Sequence, residues 1–191
     1  MIFDRFFPDM YIRSVYELPL EELKNKGIKL LVFDIDNTLV PFDVEKPDDK
    51  LLKLFVFLKN QGFKVAILSN NNKARIELFN EQLGAIAIYK AGKPGIKKIS
   101  YVMKKLNIKN SETAMIGDQA FTDVWCGNRA GAYSILTAPI CNRDQLITKV
   151  KRGMEKFVMG FYFRREGIKP FQNYWKSLYF TPKSKLYIEK C

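Results

Sequence analysis

Residues 29–38 read Lys-Leu-Leu-Val-Phe-Asp-Ile-Asp-Asn-Thr. The apolar run is short and continuous rather than alternating, which describes a strand buried on both faces. It ends on two carboxylates, Asp34 and Asp36. Similar runs follow at 64–69 (KVAILS), 85–89 (AIAIY), 113–117 (TAMIG) and 133–137 (YSILT). Helix-like stretches lie between them at 47–61, 73–83, 95–106 and 118–130. In the first of these, Leu51, Leu54, Phe55 and Leu58 recur at the spacing of one helix face. Gly62 and Gly84 stand where helix C-caps belong. Strand and helix thus alternate from 29 to 137, which predicts an α/β fold: a doubly wound, mostly parallel five-stranded sheet. Residues 1–28 form a lead-in, with a short helix expected over 18–26.

The chain has 191 residues, 47% of them hydrophobic and 27% charged. That suits one globular domain, placed at 1–150, with a C-terminal extension at 151–191. The net charge is +12, and there is no histidine. The second fact excludes Ser-His-Asp and Cys-His nucleophiles, histidine bases and histidine metal sites. Cys126, Cys141 and Cys191 are far apart and form no CxxC pair, so neither a zinc ribbon nor a disulfide framework is expected. No run approaches the length of a membrane span, and the N-terminus, broken by Asp4, Arg5 and Asp9, does not read as a signal peptide. A reducing, cytoplasmic setting is expected.

In a parallel sheet, ligands bind beyond the carboxyl ends of the strands. The residues there are Asp34 to Thr38, Ser69-Asn70-Asn71, the 90–94 segment and Gly117-Asp118. Asp34 and Asp36 are two apart, on the same side of an extended chain. Two adjacent carboxylates cannot both ionise cheaply, so one can stay an anionic nucleophile while the other holds a proton. The alternative is a turn at Asp36-Asn37-Thr38 that caps the next element. Ser69 could grip an anion at a helix N-terminus or simply lead into a helix cap. Lys93, in Gly-Lys-Pro-Gly, sits on a loop. Facing carboxylates, it would neutralise them and steady a phosphoryl transition state. Asp118 turns toward the same rim, with Asp123 about one helical turn on. Asp34, Asp118 and the Asp36 carbonyl are hard oxygen donors of the kind Mg²⁺ takes.

The ordered set is Asp-x-Asp-x-Thr, Ser-Asn, Lys-Pro and Gly-Asp-(x)4-Asp. It resembles the four motifs of the haloacid dehalogenase superfamily of phosphohydrolases, over roughly residues 27–140. Within it, Asp-Ile-Asp-Asn-Thr-Leu is similar to the YqeG-type branch of subfamily IIIA, itself similar to mitochondrial phosphatidylglycerophosphate phosphatases. The resemblance implies that Asp34 becomes an aspartyl-phosphate and that Asp36 is the acid and then the base. It implies that Ser69 and Lys93 hold the phosphoryl oxygens, and that Asp34, Asp118 and the Asp36 carbonyl bind Mg²⁺. Asp123 and Asn70 then support this set from behind.

Many relatives carry a cap inserted after the first motif or between the second and third. Asp36 and Ser69 are 33 residues apart, Ser69 and Lys93 only 24. Once a helix and a strand are placed in each gap, no room for a cap remains. An open site would take a phosphate on something large, such as a lipid head group, a nucleic acid end or a phosphoprotein. The 151–191 segment has ten Lys/Arg against three Glu, and ten aromatics including Phe157, Phe161, Tyr162, Phe163, Trp175, Tyr179 and Phe180. That composition suits an anionic membrane surface. It also suits single-stranded nucleic acid, or aromatics packed onto the domain beneath a solvated basic face. A phosphomonoesterase acting on phosphatidylglycerophosphate is the leading expectation. A phosphatase of nucleic acid ends or phosphoproteins is the second, and a non-enzymatic binding module on the same scaffold the third.

Overall fold

A computed structural model describes residues 3–141 and 146–167. The elements run β1 (Met10–Ile12), α1 (Leu20–Asn25), β2 (Leu30–Phe33), α2 (Asp49–Asn60), β3 (Lys64–Leu68) and α3 (Lys73–Asn80). They continue with β4 (Ile86–Ile88), α4 (Lys97–Leu106), β5 (Thr113–Gly117), α5 (Trp125–Ala130), β6 (Tyr133–Thr137) and α6 (Leu146–Arg165). The strands form one sheet in the order β1-β6-β5-β2-β3-β4, with every pairing parallel. β2 lies at its centre and the chain winds outward from it in both directions.

Side chains along β2 alternate between two cores, which is why its sequence is apolar throughout. Leu31 and Phe33 pack with Leu23, Leu51, Phe55, Leu58, Ile76 and Phe79, the buried sides of α1, α2 and α3. Leu30 and Val32 face the other way, toward Ile99, Val102 and Met103 of α4 and Cys126 of α5. Asp48 caps α2 by accepting from the Leu51 N–H at 2.8 Å, and Asn72 caps α3 from the Arg75 N–H at 3.0 Å.

Among the described residues the sheet has six strands, one more than the five expected. β1 adds to the edge through Met10↔Ile135. Its three residues are too few to show a period. They are held by Asp9, whose carboxylate accepts from the Ser134 N–H (2.7 Å) and Oγ (3.0 Å). The helix expected over 118–130 is a π-helical turn at Ala120–Val124 running into α5. α6 crosses the boundary drawn at 150. Val158, Met159, Tyr162 and Phe163 are buried with Phe7, Ala120, Val124 and Leu136. Phe157 and Phe161, by contrast, are exposed. Cys126 and Cys141 are buried free thiols, and burial pushes the Cys126 thiol up to about 11. Trp175, Tyr179, Phe180 and Cys191 lie outside the described residues.

Candidate active site

Asp34 follows directly on β2, and its N–H still donates to the Ile116 carbonyl (2.9 Å), so the sheet fixes its backbone. Its Oδ1 lies 2.6 Å from Lys93 Nζ. The same ammonium lies 2.6 Å from Asp123 Oδ1. Asp118 is fully buried and accepts from Thr38 Oγ1 at 3.3 Å. One carboxylate oxygen each from Asp34, Asp118 and Asp123 lies within 4.8 Å of the others.

Local structure explains each placement. Lys93 is held by Asn70, which accepts from the Lys93 N–H at 2.8 Å and donates to its carbonyl at 3.3 Å. Asp123 is returned toward the strand ends by the π-helical turn, and its Oδ2 accepts from the Gln119 N–H at 3.1 Å. Gly117 leaves the space this needs, because a Cβ there would run into the Asp123 side chain. Ser69 is buried at the end of β3, and its Oγ accepts from the Asn71 N–H at 3.1 Å. Asn37 takes a left-handed φ of 63°, and its N–H donates to the Val40 carbonyl at 2.7 Å, turning the chain just past Asp36.

Asp36 has its own partners. Arg75 Nη2 donates to Oδ1 and Asn71 Nδ2 to Oδ2, each at 3.1 Å. The sequence pairs Asp34 with Asp36 electrostatically, whereas the charges that act on Asp34 are those of Lys93, Asp123 and Asp118. Side chains two apart can share a rim and still be held by different neighbours.

Burial drives the Asp34 carboxyl up to about 8. The Lys93 ammonium opposes this, and the Asp123 and Asp118 carboxylates reinforce it. Burial pulls the Lys93 ammonium down, but the Asp123 and Asp34 carboxylates outweigh it, so Lys93 is raised above its ordinary range and stays charged. Three carboxylates around one ammonium leave an excess of two negative charges when all are ionised. A divalent cation with a preference for oxygen matches both that charge and that donor set.

Asp34, Asp36, Ser69, Asn70, Lys93 and Asp123 line one cavity of about 310 Å³, joined by Asn71, Gln119 and Thr122. Asp118, fully buried, does not line it but joins the cluster of Asp34 and Asp123. The seven candidate site residues, Asp34, Asp36, Ser69, Asn70, Lys93, Asp118 and Asp123, therefore gather at one place. A roomier hollow of about 470 Å³ between Asp4, Phe7, Tyr162 and Arg165 holds none of them. The sequence reading missed Arg75 and the grip of Asn71 on Asp36. The one available signal was a cation in a helix first turn that has no acid.

A parallel sheet whose strand ends gather three aspartates, two of them on one lysine, with a serine beside them, suits a phosphatase built on a Rossmann-like core. A family model described as haloacid dehalogenase-like hydrolase matches residues 41–131. The chain is 37% identical over 160 residues to the "Probable phosphatase YqeG" of Bacillus subtilis (strain 168), covering 84% of this chain and 93% of that one. It is 28% identical over 184 residues to the chloroplastic/mitochondrial phosphatidylglycerophosphate phosphatase 1 of Arabidopsis thaliana, covering 87% of this chain but only 51% of that one. Among solved structures, the cobalt-bound deoxy-D-mannose-octulosonate 8-phosphate phosphatase of Haemophilus influenzae shares the fold at 15% identity. Its TM-score is 0.51, with 80% of this chain and 99% of that one covered. The chain belongs to the haloacid dehalogenase-like hydrolases, in the company of YqeG.

Proposed function

We propose that the protein is a Mg²⁺-dependent phosphomonoesterase that works through an aspartyl-phosphate on Asp34 and acts on phosphatidylglycerophosphate or a similar lipid-borne phosphate. The observation that carries the reading is the shared ammonium: Lys93 Nζ at 2.6 Å from both Asp34 and Asp123, with the Asp118 carboxylate in the same cluster.

In this reading an Asp34 oxygen attacks phosphorus. The ester P–O bond breaks, its electron pair leaves on the alcohol oxygen, and that oxygen takes a proton from Asp36. Water then attacks the phosphorus and gives a proton to Asp36. The bond between phosphorus and Asp34 breaks, inorganic phosphate departs, and the carboxylate is restored. Ser69 Oγ and Lys93 Nζ hold the phosphoryl oxygens through both steps, while Asp123 and Asn70 hold Lys93. The Asp34 and Asp118 carboxylates and the Asp36 carbonyl would hold Mg²⁺. The bound ion supplies the charge shielding that brings an anionic carboxylate to an anionic phosphate.

Three features support a lipid-borne substrate. The described segments between Asp36 and Lys93 hold only α2, β3, α3 and β4, with no inserted cap. The extension at 151–191 carries a net +7 of the chain's +12, suited to contact with an anionic surface. A relative is named for phosphatidylglycerophosphate. We read the setting as the cytoplasmic surface of a membrane; no helix among the described residues is long and apolar enough to cross one.

The test is phosphate release from phosphatidylglycerophosphate vesicles and from soluble phosphoesters, with Mg²⁺ and with chelator. Release from the vesicles that stops in chelator is expected. Turnover restricted to sugar phosphates, 3′-phosphorylated oligonucleotides or phosphopeptides rejects the lipid assignment. Asp34→Asn is expected to lower turnover by at least about 10³-fold. Near-normal turnover in that variant removes Asp34 as nucleophile.

A further inference from the structure

Arg75 has no part in the chemistry above, yet it stands where α3 by itself would not favour it. It lies in the first turn, its N–H capped by Asn72. That end of a helix is positive, and α3 has no acidic residue there to offset a cation. The side chain is nevertheless drawn inward and is only 11% exposed. Nη2 donates to Asp36 Oδ1 at 3.1 Å. Nε and Nη1 are buried and make no hydrogen bond among the described residues. The guanidinium carbon lies 5.5 Å from the centre of the Phe79 ring. An arginine serving only α3 would leave those donors in water, since buried unpaired donors are costly. What the inward position gains is its contact with Asp36.

That contact is one half of a grip. Asn71 Nδ2 holds the other oxygen, also at 3.1 Å. A carboxyl group bound at both oxygens cannot turn freely about its own axis. Arg75 itself does not line the cavity that holds Asp34, Asp36 and Ser69, so a direct hold on the phosphate is not its task. We propose that Arg75 is a positioning residue that acts through Asp36, fixing the carboxyl group where it meets the departing ester oxygen. The inference rests on the acid–base role given to Asp36 above.

Its signature is dependence on the leaving group. An alkoxide must be protonated as it leaves, whereas p-nitrophenolate leaves readily without a proton. A loosened Asp36 therefore lowers kcat/KM, which reports the first step, on alkyl phosphates and spares it on p-nitrophenyl phosphate; its work on water in the second step is common to both substrates. A residue that merely supports the fold would slow both alike.

The experiment measures kcat and KM of the full chain on glycerol phosphate and on p-nitrophenyl phosphate for the wild type, Arg75→Gln, Arg75→Lys and Asp36→Asn. Arg75→Gln is expected to lower the ratio of alkyl to aryl kcat/KM by about tenfold or more, a fraction of what general acid catalysis contributes. Arg75→Lys should recover part of the ratio. Equal losses of kcat/KM on both substrates, or no loss, overturn the proposal. Asp36→Asn must show a larger skew. If it shows none, the acid–base reading of Asp36 falls, a failure distinct from that of Arg75 alone. Should Arg75→Gln not fold, Arg75→Met, which keeps the stem over Phe79, is read in the same way. If neither folds, Arg75 serves the fold and the proposal is overturned.

Discussion

A carboxylate that must attack phosphorus has to be anionic, yet burial works against that at Asp34. Its folded value is raised from 3.8 to about 8, with burial as the leading cause. A group raised on folding contributes its full stability below the unfolded value and loses it as pH climbs through the folded one. Lys93, raised above its ordinary range, stays charged throughout that window. In chelator, therefore, urea midpoints are expected to fall between about pH 4 and pH 8, and Asp34→Asn should flatten the slope. Mg²⁺ should restore more stability at pH 8 than at pH 6, because it favours the ionised form. A metal-free midpoint that rises through this range rejects the account. Removing Lys93 tests the same balance from the other side. Lys93→Met leaves Asp34, Asp118 and Asp123 buried without their ammonium. Breaking such a pair typically costs about 3–5 kcal/mol. The loss should appear in metal-free calorimetry and shrink when Mg²⁺ is added.

Short elements at the strand ends turn sequence into a site. In the segment after β3, Ser69 Oγ accepts from the Asn71 N–H, Asn70 clamps Lys93, Asn71 and Arg75 hold Asp36, and Asn72 caps α3. The π-helical turn does the equivalent work after β5 by returning Asp123 to Lys93, which requires a bare Gly117. Gly117→Ala is expected to push the Asp123 carboxylate off Lys93. Overpacking of this kind costs about 1–3 kcal/mol. Activity should fall at least as far as in Asp123→Ala, measured side by side. A fully active, equally stable Gly117→Ala means that Asp123 can move without consequence. These elements also mark what the sequence could convey. The four inner strands are legible because burial on both faces leaves continuous apolar runs, the half-buried edge strand β4 is still an unbroken apolar run, and the strand ends then point to Asp34, Ser69, Lys93 and Asp118. β1 is too short to carry a period. A π-helical turn has the composition of the helix it opens, so its extra residue is invisible. The partners of Asp36 and Asp34 depend on where long side chains reach across the rim, and linear spacing does not encode that.

Across the whole molecule, charge and apolar surface are distributed unevenly. The net charge is +12, of which 151–191 contributes +7. α6 buries Val158, Met159, Tyr162 and Phe163 against the domain while Met154, Phe157 and Phe161 face outward. Phe3 stacks on Phe161 at 5.6 Å and meets Phe157 edge-on at 6.2 Å, so these rings form one patch rather than isolated residues. Two forces would then hold the protein to a lipid surface, and they separate by salt. Each Lys or Arg near an anionic bilayer contributes about 1 kcal/mol before screening. Raising salt from about 0.1 M to about 1 M shortens the screening length from about 10 Å to about 3 Å and removes most of that attraction. Apolar insertion does not weaken in the same way. The full chain is therefore expected to sediment with phosphatidylglycerol vesicles at low salt, and far less with phosphatidylcholine vesicles. A smaller fraction should stay bound at high salt, and Phe157→Ser combined with Phe161→Ser should release it. If the membrane delivers the substrate, salt should depress turnover of vesicle-borne phosphatidylglycerophosphate severalfold while leaving p-nitrophenyl phosphate turnover nearly unchanged. Equal salt sensitivity on both substrates would mean that the charge acts at the catalytic rim itself, and the basic extension would lose its role as a membrane contact.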